Sequence, residues 1–220
     1  MKTYKLTTQE NTTYNNTLWG ENISHETDGS GELCSPGWLH AYTDPLLAVF
    51  LNPIHGSINN PKLWEADGSG EQKDDRGLKV GFTRLTTIKE MKLPFVSLTQ
   101  KAAFAILCAL EVYKEPTFVE WAEKWLSGED RSKAAANAAY YAANAANAAN
   151  AAYYAANAAN AAYYAAANAA YAAYAAYAAY YAAAYYAAAY YAAAAAYAAA
   201  NAAAKPLDLA AIAQKAMNCI

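Results

Sequence analysis

The feature that most constrains this chain is a run of 71 residues, 134–204, written in three letters, Ala, Asn and Tyr. It holds no charge, no Gly and no Pro. Ala is the strongest helix former and nothing in the run breaks a helix, so the run is expected to be helical. Between Asn144 and Tyr164 the residues other than Ala fall at 144, 147, 150, 153/154, 157, 160 and 163/164, three steps per ten residues. An α-helix turns about 100° per residue, so this stripe winds slowly round a straight helix. Three shapes satisfy it: a tightly coiled left-handed helix, shorter packed segments, or a straight helix carrying a spiral of Tyr and Asn. Without Gly to supply turns, the expectation is a long continuous, curled or superhelical helix, about 100 Å if straight at about 1.5 Å per residue.

What such a run meets follows from its side chains. Eight Asn and sixteen Tyr would have to be satisfied in hydrocarbon, so a membrane span is not expected. Tyr buries a large ring at low entropic cost, keeps a hydroxyl for bonding and is enriched where proteins bind one another. From Tyr171 the composition shifts from Asn to Tyr, which makes Tyr171, Tyr174, Tyr177, Tyr180, Tyr181, Tyr185, Tyr186, Tyr190 and Tyr191 the candidate binding and assembly residues. The partner is then a second copy, in a homo-oligomer or filament, or a host protein. Two alternatives stay open: a helical spacer with solvated Tyr and Asn faces, or a repetitive surface that binds ice or glycan.

All charge lies outside the run, and the net charge is -3. No basic face is available for a phosphate backbone, so nucleic acid is not an expected partner. Three widely spaced cysteines, Cys34, Cys108 and Cys219, suit a reducing compartment, and the polar start "MKTYKLTTQENTTYNN" lacks an apolar signal core. The expected location is the cytoplasm. The N-x-S/T triplets at Asn11, Asn15 and Asn22 are read as products of an Asn/Thr-rich loop rather than glycan acceptors.

Before the run the code is different. "KTYKLTT", "KLWEAD" and "GLKVGFTRL" alternate like strands, and Thr43 or Asp44 with Pro45 predicts the start of a short buried helix over Leu46–Leu51, stopped before Pro53. "SLTQ" at Ser97 is a capping box ahead of the apolar "KAAFAILCALEVY", expected in the core. "TFVE" at Thr117 reads as a second box opening "WAEKWL", with Gly128 as C-cap. "GEDRS" offers a Ser to start the next helix, Lys205 and Pro206 stop the run, and "LDLAAIAQKAM" forms a last helix.

These readings give an α+β N-terminal domain followed by a long Ala-rich all-α repeat. The expected divisions are a small α+β head at 1–96, a helical connector packed on it at 97–133, the repeat at 134–204 and a C-terminal capping helix at 205–220.

Chemistry concentrates in one cluster, Cys34, His40, Asp44 and His55. A Cys–His nucleophile pair needs the base within hydrogen-bond reach, and spacing alone does not decide that. Cys34, His40 and His55 match no common zinc spacing, so no metal is assigned, and no cofactor fingerprint is present. The bland alternative is a satisfied His beside a turn and a Cys in the core. "DGSGE" occurs at 28–32 and 67–71, in turn-like contexts that do not suit a phosphate loop.

The run "ELCSPGWLHAYTDPLLAVFLNPIHG", then "LWEADGSGEQKDDRGLKVGFTRLTTIKEM" and "CALEVYKEPTFVEWAEKWLSGEDRS" ahead of an Ala-rich tract, resembles a family of bacteriophage and prophage proteins. Its members have a small N-terminal domain of unknown function followed by Ala-rich repeats, and some are labelled as immunity proteins. The resemblance implies a phage-encoded protein acting in the host bacterial cytoplasm; the uncharged, breaker-free run adds the expectation of a non-enzymatic accessory protein that assembles with itself or binds a host component. Members place Arg, Glu or Trp where this chain has Asn and Tyr, which counts against a charge-based role for the repeat. "GWLHAYTDP" also resembles the G-x-H strand of ADP-ribosyltransferase-like folds, without a matching Arg and Glu constellation. An alternative function is therefore an enzymatic head acting on a nucleotide or protein through His40 and Cys34, tethered by the repeat.

Overall fold

The computed structural model describes residues 1–132, 134–136, 174–179 and 189–219. They form two compact units, Met1–Phe95 and Val96–Ile220.

The first unit is an antiparallel sheet with one helix. Its elements are β1 (Lys2–Thr7), β2 (Ile23–Glu26), β3 (Leu39–Ala41), α1 (Pro45–His55), β4 (Lys62–Asp74) and β5 (Val80–Met91). Strand order is β1-β4-β5-β2, with β3 sharing the outer edge of β5. β2 pairs with the Arg84–Thr87 half of that edge and β3 with the Val80–Phe82 half. The sheet curls far enough for Tyr42, just past β3, to exchange two backbone hydrogen bonds of 2.8 Å with Tyr4 of β1. At that end the strands close on themselves, so both faces of β1 are covered: Thr3, Lys5, Leu6 and Thr7 are all buried.

The core gathers Trp19, Ala41, Ala66, Val80, Phe82 and Leu85. Gly68 of β4 lies across from the Phe82 ring, which a Cβ would approach to 2.4 Å, so only Gly lets the ring lie flat on the strand. The three sequon asparagines, Asn11, Asn15 and Asn22, all take positive φ (61°, 56° and 58°). That conformation suits Asn among the non-glycine residues, and it accounts for the Asn-rich loop by backbone geometry.

α1 starts as expected at Asp44, whose carboxylate accepts from the Leu46 amide at 2.7 Å. It does not stop before Pro53 but continues to His55. Pro53 lies in the last turn, where the lost amide costs one bond. The Asn52 side chain secures the exit, donating to the Ile58 carbonyl at 2.9 Å and accepting its amide at 3.0 Å.

The second unit contains α2 (Leu98–Val112), α3 (Pro116–Ser127), α4 (Ala189–Ala202) and α5 (Leu209–Met217). Ser97 and Gln100 form the predicted capping box, and the Gln100 amide also donates to the Met217 carbonyl at 2.9 Å, tying α2 to the end of α5. α2 packs against α3, α4 and α5, with Ala102–Ile106, Cys108 and Ala109 all buried. α3 is capped two residues earlier than "TFVE" suggests, at Glu115 in place of Thr117. Glu115 accepts from the Phe118 amide at 3.0 Å and Pro116 takes the first helical position, while Gly128 ends the helix at φ 83°.

The single long helix expected for the Ala-rich run is not what the chain forms. Its described parts belong to separate short helices: residues 134–136 capped by Ser132, residues 174–179, and α4, which ends at Ala202 after 14 residues. The reason lies in the alanines. Ala192–Ala196, five consecutive residues, are buried, as are Ala198–Ala200. Five residues at about 100° each pass all round a helix, so the small side chains of α4 are covered in most directions while Tyr190 and Tyr197 remain exposed on one face. An isolated straight or spiral helix would leave most of these methyls in water. Small side chains let helix backbones approach closely, and the run gains its burial from many close neighbours rather than from length. Among the described residues no helix is long and apolar enough to cross a membrane.

Candidate functional site

A cleft of about 1180 Å³ opens in the first unit. β1 supplies Lys5 to its wall, the 8–19 loop supplies Thr13, Tyr14 and Trp19, and the 33–42 segment supplies Cys34, His40 and Tyr42; His55 and Lys79 complete the polar lining.

Lys5 is the least expected member. Its residue is 8% exposed. The ammonium donates to the His40 carbonyl at 2.8 Å and lies 4.6 Å from the centre of the Trp19 ring. No carboxylate pairs with it among the described ion pairs. Burial lowers its pKa from 10.5 to about 8. A desolvated charge without a counter-ion costs stability, and such groups concentrate at functional sites.

The sequence-predicted residues divide. His40, on β3, hydrogen-bonds the Leu33 carbonyl through Nε2, and burial lowers its pKa, helped by the charges of Lys5 and Lys79. His55, at the end of α1, stacks on Tyr42 with ring centres 5.9 Å apart. Neither of its ring nitrogens has a hydrogen-bond partner among the described residues, and burial lowers its pKa to about 3, with Lys79 and His40 adding to the effect. Cys34 is exposed and lies 3.0 Å from Nζ of Lys79, which is also 3.8 Å from Asp75. Asp44 takes no part in the cleft; it caps α1. A nucleophile pair is not assembled: the His40 nitrogen in use goes to a backbone carbonyl, and Cys34 meets a lysine. Among the described residues no three His, Cys, Asp or Glu side chains converge as a metal site.

Lys5, Tyr42 and Lys79 carry no motif and escaped the sequence reading. The Tyr42 phenol is buried, which raises its pKa, and it makes no hydrogen bond among the described residues. One signal was present. In "KTYKLTT" the residues at 3, 5 and 7 are Thr, Lys and Thr, a polar face at strand period that ordinarily marks solvent. Here that face is inside, with Thr3 bonded to the Ala66 carbonyl at 3.3 Å and Thr7 accepting from Trp64 Nε1 at 3.0 Å.

The positive charges in the cleft lining are Lys5 and Lys79. His40 and His55, whose pKa values are lowered, line it as neutral rings near pH 7, and the carboxylates Glu10 and Glu26 are exposed at its edge, Glu26 being paired with Arg84 at 2.5 Å. Low-dielectric walls strengthen the attraction of such a cleft for anions.

In the second unit, Tyr174, Tyr177, Tyr190 and Tyr191 are described. Tyr174 and Tyr190 are exposed, Tyr174 stacks on Tyr177 at 6.0 Å, and Tyr190 meets Tyr191 edge-on at 5.8 Å. Tyr197, one helical face on from Tyr190, is exposed as well and was not among the candidates. Tyr171, Tyr180, Tyr181, Tyr185 and Tyr186 lie outside the described residues.

Compared with protein-family models, with curated proteins and with solved structures, the chain matches none.

Proposed function

We propose that the first unit is a receptor for a small anionic ligand of the phosphorylated-nucleotide class. The observation that carries this reading is the Lys5 ammonium, buried in the cleft wall with only a carbonyl and an aromatic ring to hold it. Lys79 adds a second positive charge, and Tyr14, 79% exposed in the cleft lining, offers a ring on which a base can stack. The volume accommodates a mononucleotide, since small-molecule sites run from about 300 to 1,000 Å³. Calorimetry of the full chain with AMP, ADP and inorganic phosphate tests it. Binding that weakens about tenfold or more in Lys5→Met, a loss of about 1.4 kcal/mol, supports the reading. Absence of binding by all three at millimolar concentration would sink it.

A second reading concerns the Ala-rich unit and rests on the exposed rings of Tyr174, Tyr190 and Tyr197 beside fully buried alanines. Rings presented this way form a contact surface for a second copy, and the unit acts as an assembly device. With the resemblance of its sequence, the two readings make the chain a phage-encoded accessory protein in the host cytoplasm, one unit gripping a ligand and the other assembling.

A further inference from the structure

We infer that Lys5 captures its ligand covalently: its amine condenses with an aldehyde or ketone group of the anionic ligand to form an imine. This inference rests on the cleft being the ligand site. Three features of the geometry support it. Lys5 is one of the residues that line the cleft. Its contacts are the His40 carbonyl at 2.8 Å and the Trp19 ring at 4.6 Å, neither of which is an anion that would lock the proton in place. Its backbone is fixed in β1 between β4 and the Tyr4–Tyr42 bridge, which holds the amine at one place in the wall. Other lysines differ: Lys79, in the same cleft, lies 3.8 Å from the Asp75 carboxylate, and Lys2 and Lys89 are exposed and both pair with Glu65, at 3.1 and 3.7 Å.

The step balances without any oxidant. The free amine adds to the carbonyl carbon, the carbonyl oxygen leaves as water, and a C=N bond replaces C=O; hydrolysis reverses it. Desolvation, which favours the neutral amine, lowers the cost of the first move. At neutral pH Lys5 keeps about a tenth of its amine free, whereas a lysine of ordinary pKa keeps less than about a thousandth.

The test uses the full chain with pyridoxal 5′-phosphate as an anionic aldehyde, borohydride to fix any imine, and peptide mass mapping. The expected result is an adduct on Lys5 that forms at least about tenfold faster than on Lys2 or Lys89, since each unit of lowered proton affinity raises the free-amine fraction about tenfold. Lys5→Arg should abolish this adduct and leave the slow labelling of Lys2 and Lys89 unchanged, because a guanidinium forms no imine. If Lys2 and Lys89 are labelled and Lys5 is not, while AMP or phosphate still binds, the imine is overturned and the anion site stands. If Lys5 is not labelled and no nucleotide or phosphate binds, both readings fall. The mapping is read on the unmodified chain, so it decides the matter even where Lys5→Arg does not fold.

Discussion

Replacing Lys5 by Met tests whether the buried ammonium is a concession to function. Methionine keeps the length of the side chain and removes the charge. In the folded protein the Lys5 pKa is lowered from 10.5 to about 8, which at about 1.4 kcal/mol per unit corresponds to a penalty of about 3 kcal/mol. That figure reflects burial alone. A charge-assisted hydrogen bond to His40 is worth about 1.5 kcal/mol or more and a desolvated cation over an indole up to about 2, and both favour the ammonium. The net penalty is then between about 0 and 3 kcal/mol. Because the folded pKa lies below the unfolded one, the unfolded chain holds more protons between about pH 8 and 10.5, and stability rises with pH across that window. Below about pH 8 both states hold the proton and the penalty is present in full. Urea denaturation of the full chain and of Lys5→Met, followed by tryptophan fluorescence at several values from pH 7 to pH 10.5, reads this directly. Lys5→Met should be the more stable protein at pH 7 by up to about 3 kcal/mol, and the two curves should approach each other as pH rises. A Lys5→Met protein less stable at pH 7, or a difference that does not change with pH, would show that the ammonium stabilises the head and is no concession.

Three further outcomes are expected. His55 is lowered from 6.5 to about 3, so its contribution to stability falls away as pH drops from about 6.5 towards 3, when the unfolded chain gains the proton and the folded one does not; His55→Leu should remove that part of the acid sensitivity in denaturation curves at pH 4 and 7. Gly68→Ala puts a Cβ 2.4 Å from the Phe82 ring and should destabilise the head by about 1–3 kcal/mol, read as a fall in its thermal midpoint, whereas an unchanged midpoint would mean that the ring moves freely. Tyr174, Tyr190 and Tyr197 replaced together by Ala should lower the mass measured by light scattering without loss of helical circular dichroism; an unchanged mass would remove these rings from any assembly surface.

Cys34, His40 and His55 were found in the sequence as a chemical cluster, and they do line one cleft. Their chemistry was not legible. Asp44 shares the segment but spends its carboxylate on the Leu46 amide, and His40 spends a ring nitrogen on Leu33, so the partners that decide each role are backbone atoms that no residue pattern displays. "DGSGE" makes the same point. At 28–32 the Asp28 carboxylate accepts from the Ser30 amide and hydroxyl at 3.0 and 2.7 Å in a loop, while the same five residues at 67–71 lie within β4 beside a bulge. One pentapeptide takes two structures because its neighbours across the sheet differ.

What the sequence by itself determined was local. The Asp44–Pro45 helix start, the Ser97–Gln100 box, the Gly128 stop and the strands around Lys2, Lys62 and Val80 all depend on groups a few residues apart, whose hydrogen bonds close at fixed offsets along the chain. The length of the Ala-rich helices and the interior place of Lys5 were decided by tertiary structure. Alanine favours helix at every position of the run equally, so propensity sets no end to it; burial of the α4 alanines, with α2 packed against that helix, does. Lys5 and His40 are 35 residues apart, and only the curl that brings Tyr4 to Tyr42 turns a strand's polar face inward and makes an exposed-looking lysine the centre of a cleft.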